Sequence, residues 1–133
     1  MRRARAAAVL LCALMVAGCV HYPSVQDIGG IRIVPRHGRA VSRPNGALVY
    51  MELNSTGKFG DVLLSAFSPV AREAQLVPPG RLEVPGTTMV PLLPTGPHIV
   101  LNDLTRPLVT GESIIVTLVF EKSGNIGVIT VVE

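Results

Sequence analysis

The chain has 133 residues, enough for one ordinary domain, and carries a formal charge of +3. The positive excess lies within residues 1–18, which hold three arginines and no acidic residue. Nine basic and nine acidic residues follow, so the rest of the chain is formally neutral. A neutral chain lacks the positive charge with which proteins bind phosphate backbones, and we therefore predict no nucleic-acid partner.

Residues 1–18 have the pattern of a secretory signal peptide, with a basic start, an apolar core and small residues before Cys19. The core is too short for a stable membrane span. The segment Val16-Ala17-Gly18-Cys19 resembles the lipobox of bacterial lipoproteins, in which cleavage before the cysteine exposes it for lipid attachment. This resemblance implies a membrane anchor at Cys19. Val20, in place of an aspartate, implies the outer membrane if the cell is Gram-negative.

The cysteine count limits what the mature chain can do. Cys12 lies in the leader, so Cys19 is the one thiol left after cleavage, and neither an intramolecular disulfide nor a CxxC metal or redox site is predicted. The alternative to lipidation is an ordinary signal peptide whose product begins with a free thiol. Residues 19–30, which are polar and contain Gly and Pro, are predicted to be a lipidated tether before one domain at residues 31–133.

The domain is predicted to be all-β. Apolar runs bounded by Gly, Pro and Asn predict about eight short strands. Turn signals between them and no long helical period indicate a small Greek-key β-sandwich or barrel, with a core of Val, Leu and Ile. Eight of these runs lie at residues 47–54, 62–67, 71–77, 81–84, 88–93, 98–102, 114–120 and 126–132, and the short run at 31–34 is a candidate first strand.

Residues 35–46 are interpreted as a loop that exposes His37. The loop carries three arginines, Arg36, Arg39 and Arg43, and Arg32 precedes it. Two interpretations stay open for these charges. They are solvated, or they are attracted to the anionic headgroups of a nearby membrane.

Three segments follow one another in the order found in a known family: ALVYMELNSTG at residues 47–57, DVLLSAFSPVA at 61–71 and PTGPHIVLNDLTRPLVTGESIIVTLVFEKSG at 94–124. They resemble the PCu(A)C copper-chaperone family, which consists of small periplasmic domains. The resemblance covers roughly residues 47–132. It implies a cupredoxin-like fold and a role connected with copper.

The same resemblance implies a metal site that is mostly lost. In that family Cu(I) is held by two histidines and two methionines, and soft thioethers with imidazole suit Cu(I). His98 stands at the closing histidine, but Val100 replaces its partner methionine and Val77 replaces the first histidine. The hairpin that carries the other methionine is shortened to residues 78–81. The implied Cu(I) binding is weak or absent.

Other donors are few. A lone histidine at a junction of loop and strand is more often hydrogen-bonded or exposed than a metal ligand, and that interpretation stays open for His98. Met51 and Met89 are interpreted as core residues. The acids Asp103 and Glu112 are interpreted as solvated turn residues.

No Ser-His-Asp arrangement and no phosphate-binding loop can be proposed, so the chain is not predicted to be an enzyme.

Two functions are therefore predicted from the sequence. The first is a cell-envelope lipoprotein with a copper-chaperone-like domain, which serves copper handling or the assembly of a copper enzyme through a degraded Cu(I) site. Its partners would be the membrane and a copper enzyme or copper-transfer protein. The alternative is a metal-free interaction or structural lipoprotein that kept the fold and lost the ligands.

Overall fold

The computed structural model describes residues 27–133, whose regular structure is entirely β-strand. The all-β prediction is confirmed. Within the described range, no helix has the length and apolar character needed to cross a membrane. The predicted signal peptide, Cys19 and most of the predicted tether lie outside the described residues. The nine strands are β1 (Ile33–Arg43), β2 (Gly46–Ser55), β3 (Asp61–Phe67), β4 (Ala71–Val77), β5 (Leu82–Val84), β6 (Thr88–Leu92), β7 (His98–Leu104), β8 (Ser113–Phe120) and β9 (Gly124–Val132).

The strands form one sheet in the order β4-β7-β2-β1-β9-β8-β3-β5, and β6 pairs with the second half of β2. Only β1 and β9 run parallel among these pairs. Because β3 also lies against β4, the sheet curls into a half-barrel. Its inner side holds the core.

Alternation along β2 shows how the sequence builds that core. Val49 and Leu53 are fully buried and Met51 is 3% exposed. These three residues are spaced two apart, so their side chains point to the same, inner side of the sheet. The interpretation of Met51 as a core residue is confirmed. Leucine, isoleucine and valine supply most of the other buried side chains, together with Phe120.

The interpretation of Met89 as a core residue is wrong, since 49% of it is exposed. In the β2–β6 pair, Val90 lies opposite Leu53 and Leu92 opposite Met51, both on the inner side. The same alternation turns Met89 outward, opposite Asn54. The apolar residues around Met89 in the sequence concealed this orientation.

The loop predicted at residues 35–46 is also wrong, because β1 continues to Arg43. A β-bulge between Arg36 and Arg39 keeps the strand paired, and His37 adopts a positive φ of 56° there. Proline and repeated arginines are uncommon in strands, which is why the sequence indicated a loop. The prediction that His37 is exposed is confirmed.

The extended form of β1 separates the arginines. Arg32 precedes the strand and Arg43 ends it, so eleven residues at about 3.3 Å each place them roughly 36 Å apart. Arg39 lies 4.0 Å from the carboxylate of Glu133. The four arginines therefore do not form one compact cluster.

The chain enters the fold through a tight turn. Ile28 and Ile31 exchange two backbone hydrogen bonds of 3.0 Å. Ile31 then forms a bridge with Phe59, whose N–H donates to the carbonyl of Gly30 at 3.1 Å. The last residues before β1 therefore pack against the turn that joins β2 to β3.

A buried carboxylate fixes the turn between β8 and β9. Asp61 is 5% exposed and accepts hydrogen bonds from the N–H groups of Val62, Lys122 and Ser123 and from Ser123 Oγ. Burial alone would raise the pKa of Asp61, but these donors outweigh it and hold the pKa below its usual value. The start of β3 and the β8–β9 turn are thereby joined.

Candidate metal centre

His98 opens β7 directly after a tight loop. The loop closes through hydrogen bonds from Leu93 N–H to Pro97 O at 2.9 Å and from Gly96 N–H to Leu93 O at 3.1 Å. The half-buried imidazole places Nδ1 2.9 Å from Gly96 O. A carbonyl can only accept, so we assign the proton to Nδ1 and the lone pair of the neutral ring to Nε2. Metal-binding histidines are commonly oriented in this way.

Tyr50 forms one wall beside the imidazole. It lies on β2, on the side opposite the core-facing Val49 and Met51, and its ring centroid is 5.9 Å from that of His98 at a tilt of 58°. The sequence reasoning missed this neighbour. The alternation of β2 places Tyr50 on the side of the sheet away from Val49 and Met51, where it is nevertheless buried, and only the pairing of β2 with β7 shows which residue it meets.

Strand pairing brings together the three positions that the family resemblance implied. Val77 lies directly opposite His98 in the β4–β7 pair, so both side chains lie on one side of the sheet. Val100, two residues after His98, lies on the same side, between Leu48 and Gln75. One imidazole and two isopropyl groups therefore occupy this surface. An isopropyl group has no lone pair with which to bind a metal.

The shortened hairpin after Val77 adds no donor of the kind Cu(I) prefers. Arg81 ends it and forms an ion pair with Glu121 on the β8–β9 turn. Across residues 27–133, no three side chains of the types His, Cys, Asp and Glu come close enough together to hold a metal ion. His98 is thus the donor that this surface offers.

A shallow cavity of about 370 Å³ borders the imidazole. Tyr50, Leu48 and Val100 form its apolar part, and Arg43 lies at its edge. Neither Met51 nor Met89 is among the lining residues, so the described structure does not bring a thioether to His98.

The remaining histidine and acids of the prediction lie elsewhere and have other contacts. His37 Nε2 is 3.8 Å from Glu52 Oε2 at an exposed position. The interpretation of Asp103 as a turn residue is wrong, since Asp103 lies within β7. It is exposed, as predicted, and forms an ion pair with Arg72 at 3.1 Å. Glu112 accepts hydrogen bonds from Arg106 at 2.9 Å and from Val109 N–H at 2.8 Å. The bond from Arg106, followed by that from Val109, lowers the pKa of Glu112.

The sequence of the chain matches a known protein family. The model of the LpqE-like lipoprotein family matches residues 30–132. The chain belongs to the LpqE-like family. A sequence comparison with curated proteins gives no match.

Solved structures similar to this LpqE-like chain include PCuAC domains. The apo PCuAC domain from PmoF1 has a TM-score of 0.72 and 20% identity, with 82% of this chain and 98% of that chain covered. The copper-bound PCuAC domain from PmoF2 has a TM-score of 0.69 and 25% identity, with coverages of 86% and 98%. The Cu(I) form of DR1885 from Deinococcus radiodurans has a TM-score of 0.61 and 23% identity, with coverages of 91% and 85%. The resemblance to the PCu(A)C family that the sequence indicated is confirmed.

Proposed function

We propose that this LpqE-like protein is a cell-envelope lipoprotein whose PCuAC-like domain serves copper handling or the assembly of a copper enzyme. Its Cu(I) site is reduced to His98. The observation that carries the proposal is the orientation of His98, whose Nδ1 is held by Gly96 so that Nε2 is the nitrogen available to a metal. The copper-bound state of the similar PmoF2 domain supports the same role.

The neighbours of His98 determine how strong this site is. Val77 and Val100 contribute no donor atoms, and high affinity for Cu(I) needs soft ligands beside the imidazole. Weak binding follows if the domain acts alone. Tighter binding requires a partner protein, a copper enzyme or copper-transfer protein, that supplies further ligands at this surface.

A titration tests the copper role. The domain is titrated with Cu(I) against a chromogenic chelator, together with His98→Ala and with His37→Ala as the matched control, since His37 is an exposed imidazole on another strand. We expect weak binding that His98→Ala removes and His37→Ala leaves unchanged. Equal binding by all three proteins would exclude His98 as the ligand.

The loss of donors at Val77 and Val100 also favours a second function, that of a metal-free interaction module that kept the fold. In this case neither the parent domain nor His98→Ala binds Cu(I) above background. Cross-linking in membranes should then recover the same partner with the parent protein and with His98→Ala. Recovery of no reproducible partner would contradict this function.

The lipid anchor at Cys19 is the part of the proposal that concerns location. The lipobox-like sequence before Cys19 and the LpqE-like lipoprotein family support it. Val20 supports the outer membrane in a Gram-negative cell. Cys19→Ser should abolish lipid labelling and shift the protein from the membrane fraction or leave it as an unprocessed precursor. Normal processing with unchanged membrane retention would refute the anchor.

A further inference from the structure

Three exposed apolar side chains gather where the chain enters the fold. Ile28 is 40% exposed, Phe59 53% and Met89 49%. Phe59 touches the entry turn through the bridge to Ile31, and Met89 lies opposite Asn54 near the end of β2. A hydrogen bond of 3.0 Å from Thr87 N–H to Gly57 O ties the segment before Met89 to the turn that carries Phe59. We call Ile28, Arg32, Lys58, Phe59 and Met89 the entry surface.

Two cations accompany these apolar groups. Lys58 Nζ lies 5.4 Å from the centroid of the Phe59 ring, and Arg32 is exposed next to Ile31. Neither forms an ion pair with any residue between 27 and 133. Asp27 is exposed at the start of the entry turn and leaves the surface with an excess of positive charge. Exposed aromatic and aliphatic groups beside Lys and Arg are the combination that binds the headgroup region of a bilayer.

The length of the preceding chain limits how far this surface can be from a membrane. Seven residues lie between Cys19 and Asp27, so the chain makes eight steps from one to the other, and a fully extended chain spans at most about 3.5 Å per step, or about 28 Å. A domain of this size is itself more than 25 Å across, from a radius of gyration of about 13 Å. A lipid at Cys19 therefore keeps the entry surface within about 28 Å of the bilayer, whereas the far end of the domain could reach the bilayer only if the linker were almost fully extended.

We propose that the entry surface docks onto the phospholipid bilayer, with Phe59, Met89 and Ile28 among the headgroups and Lys58 and Arg32 against lipid phosphates. This inference rests on the proposed lipid anchor at Cys19. The anchor keeps the local concentration of lipid high, so a small contact surface is enough for docking.

Docking in this way sets the direction in which His98 is presented. Tyr50 and His98 lie side by side, and β2 continues five residues from Tyr50 to its end at Ser55, about 17 Å. The entry turn follows that end. The cavity beside His98 extends toward Arg43, near the other end of β2. This cavity consequently lies away from the lipid, where a protein partner can reach it.

The chain has no tryptophan, so a single introduced tryptophan reports alone. The protein from Cys19 onward, which contains all nine strands, is coupled through its one thiol to a maleimide phospholipid. The vesicles contain phosphatidylethanolamine and phosphatidylglycerol, with or without brominated acyl chains. Phe59→Trp and Met89→Trp probe the entry surface. Phe67→Trp is the matched control. Phe67 is nearly as exposed as Phe59, at 50%, but it lies at the end of β3, six residues beyond the start of that strand at Asp61 and therefore away from the entry surface.

We expect brominated lipid to quench most of the emission of Phe59→Trp, with a blue shift, and to quench Met89→Trp as well. The emission of Phe67→Trp should stay unchanged. The proposal would be overturned if Phe67→Trp were quenched as strongly as Phe59→Trp. It would also be overturned if neither Phe59→Trp nor Met89→Trp were quenched. Circular dichroism confirms that each variant folds. The coupling is chemical, so a failure of docking is distinguishable from a failure of lipidation in the cell, which Cys19→Ser tests separately.

Discussion

Replacing Asp61 by asparagine should destabilise the domain strongly, because the Asp61 carboxylate is buried and accepts four hydrogen bonds. The change keeps the shape of the side chain but removes its charge, and it turns an amide group toward N–H donors that need an acceptor. Two of the four hydrogen bonds, from Ser123 N–H and Oγ at 2.7 Å each, are buried. At about 1.5 kcal/mol for each bond to a charged group, their loss costs about 3 kcal/mol of the free energy of unfolding.

Urea denaturation followed by circular dichroism measures this cost. The matched control is Asp103→Asn, which breaks an exposed ion pair with Arg72 and should cost less than about 1 kcal/mol. A loss of about 3 kcal/mol corresponds to a melting temperature lower by about 12 °C or more for a domain of this size. If Asp61→Asn and Asp103→Asn lowered the free energy of unfolding equally, the assigned role of Asp61 would be refuted.

The lowered pKa of Asp61 adds a dependence on pH. Its carboxyl group binds a proton at a lower pH in the folded than in the unfolded state, so its stabilising effect is complete above the ordinary aspartate pKa. The effect is lost as the pH falls from that value through the lower pKa of the folded state. The free energy of unfolding of the parent domain should therefore decrease with acidification in this window more steeply than that of Asp61→Asn.

Two further predictions concern packing and metal binding. Gly38→Ala would place Cβ 2.8 Å from the carbonyl oxygen of Ile129 and should cost about 1–3 kcal/mol in urea denaturation, whereas Gly127→Ala, 3.6 Å from the nearest side chain, should cost little. A similar cost for both would contradict the close approach of β1 and β9. Val77→His places a second imidazole opposite His98 and should raise Cu(I) affinity in the chelator competition, an increase that His98→Ala should remove. An increase that persists without His98 would show that the two positions do not share a metal.

The sequence predicted most strands because their apolar runs are interrupted by turn-forming residues. It failed at β1 for two reasons. Pro35 and the arginines are not typical strand residues, and a bulge at His37 shifts the alternation of inward and outward side chains by one residue. It failed at Met89 because a run of apolar residues does not show which of them faces inward. Both errors concern orientation and pairing, which depend on contacts distant in the sequence.

The candidate site was predictable only through the family resemblance. His98 stood out as a lone imidazole, and the resemblance pointed to Val77 and Val100 as lost ligand positions. Nothing local in the sequence joins Val77 to His98, since their proximity comes from the pairing of β4 with β7. The same holds for Tyr50, which reaches the imidazole across the β2–β7 pair. The hydrogen bond from the ring to Gly96 depends on the local loop conformation.

The parallel pairing of β1 with β9 has a consequence for how the domain forms. Arg39 lies opposite Val131, so a strand in the middle of the sheet lacks one neighbour until the last strand is available. Contacts between residues so far apart in the chain slow folding, because a long loop must close before they form. An incomplete chain therefore leaves an open central edge. Completion of the sheet has to wait for β9, so the domain cannot close around β1 before residues 124–132 are available.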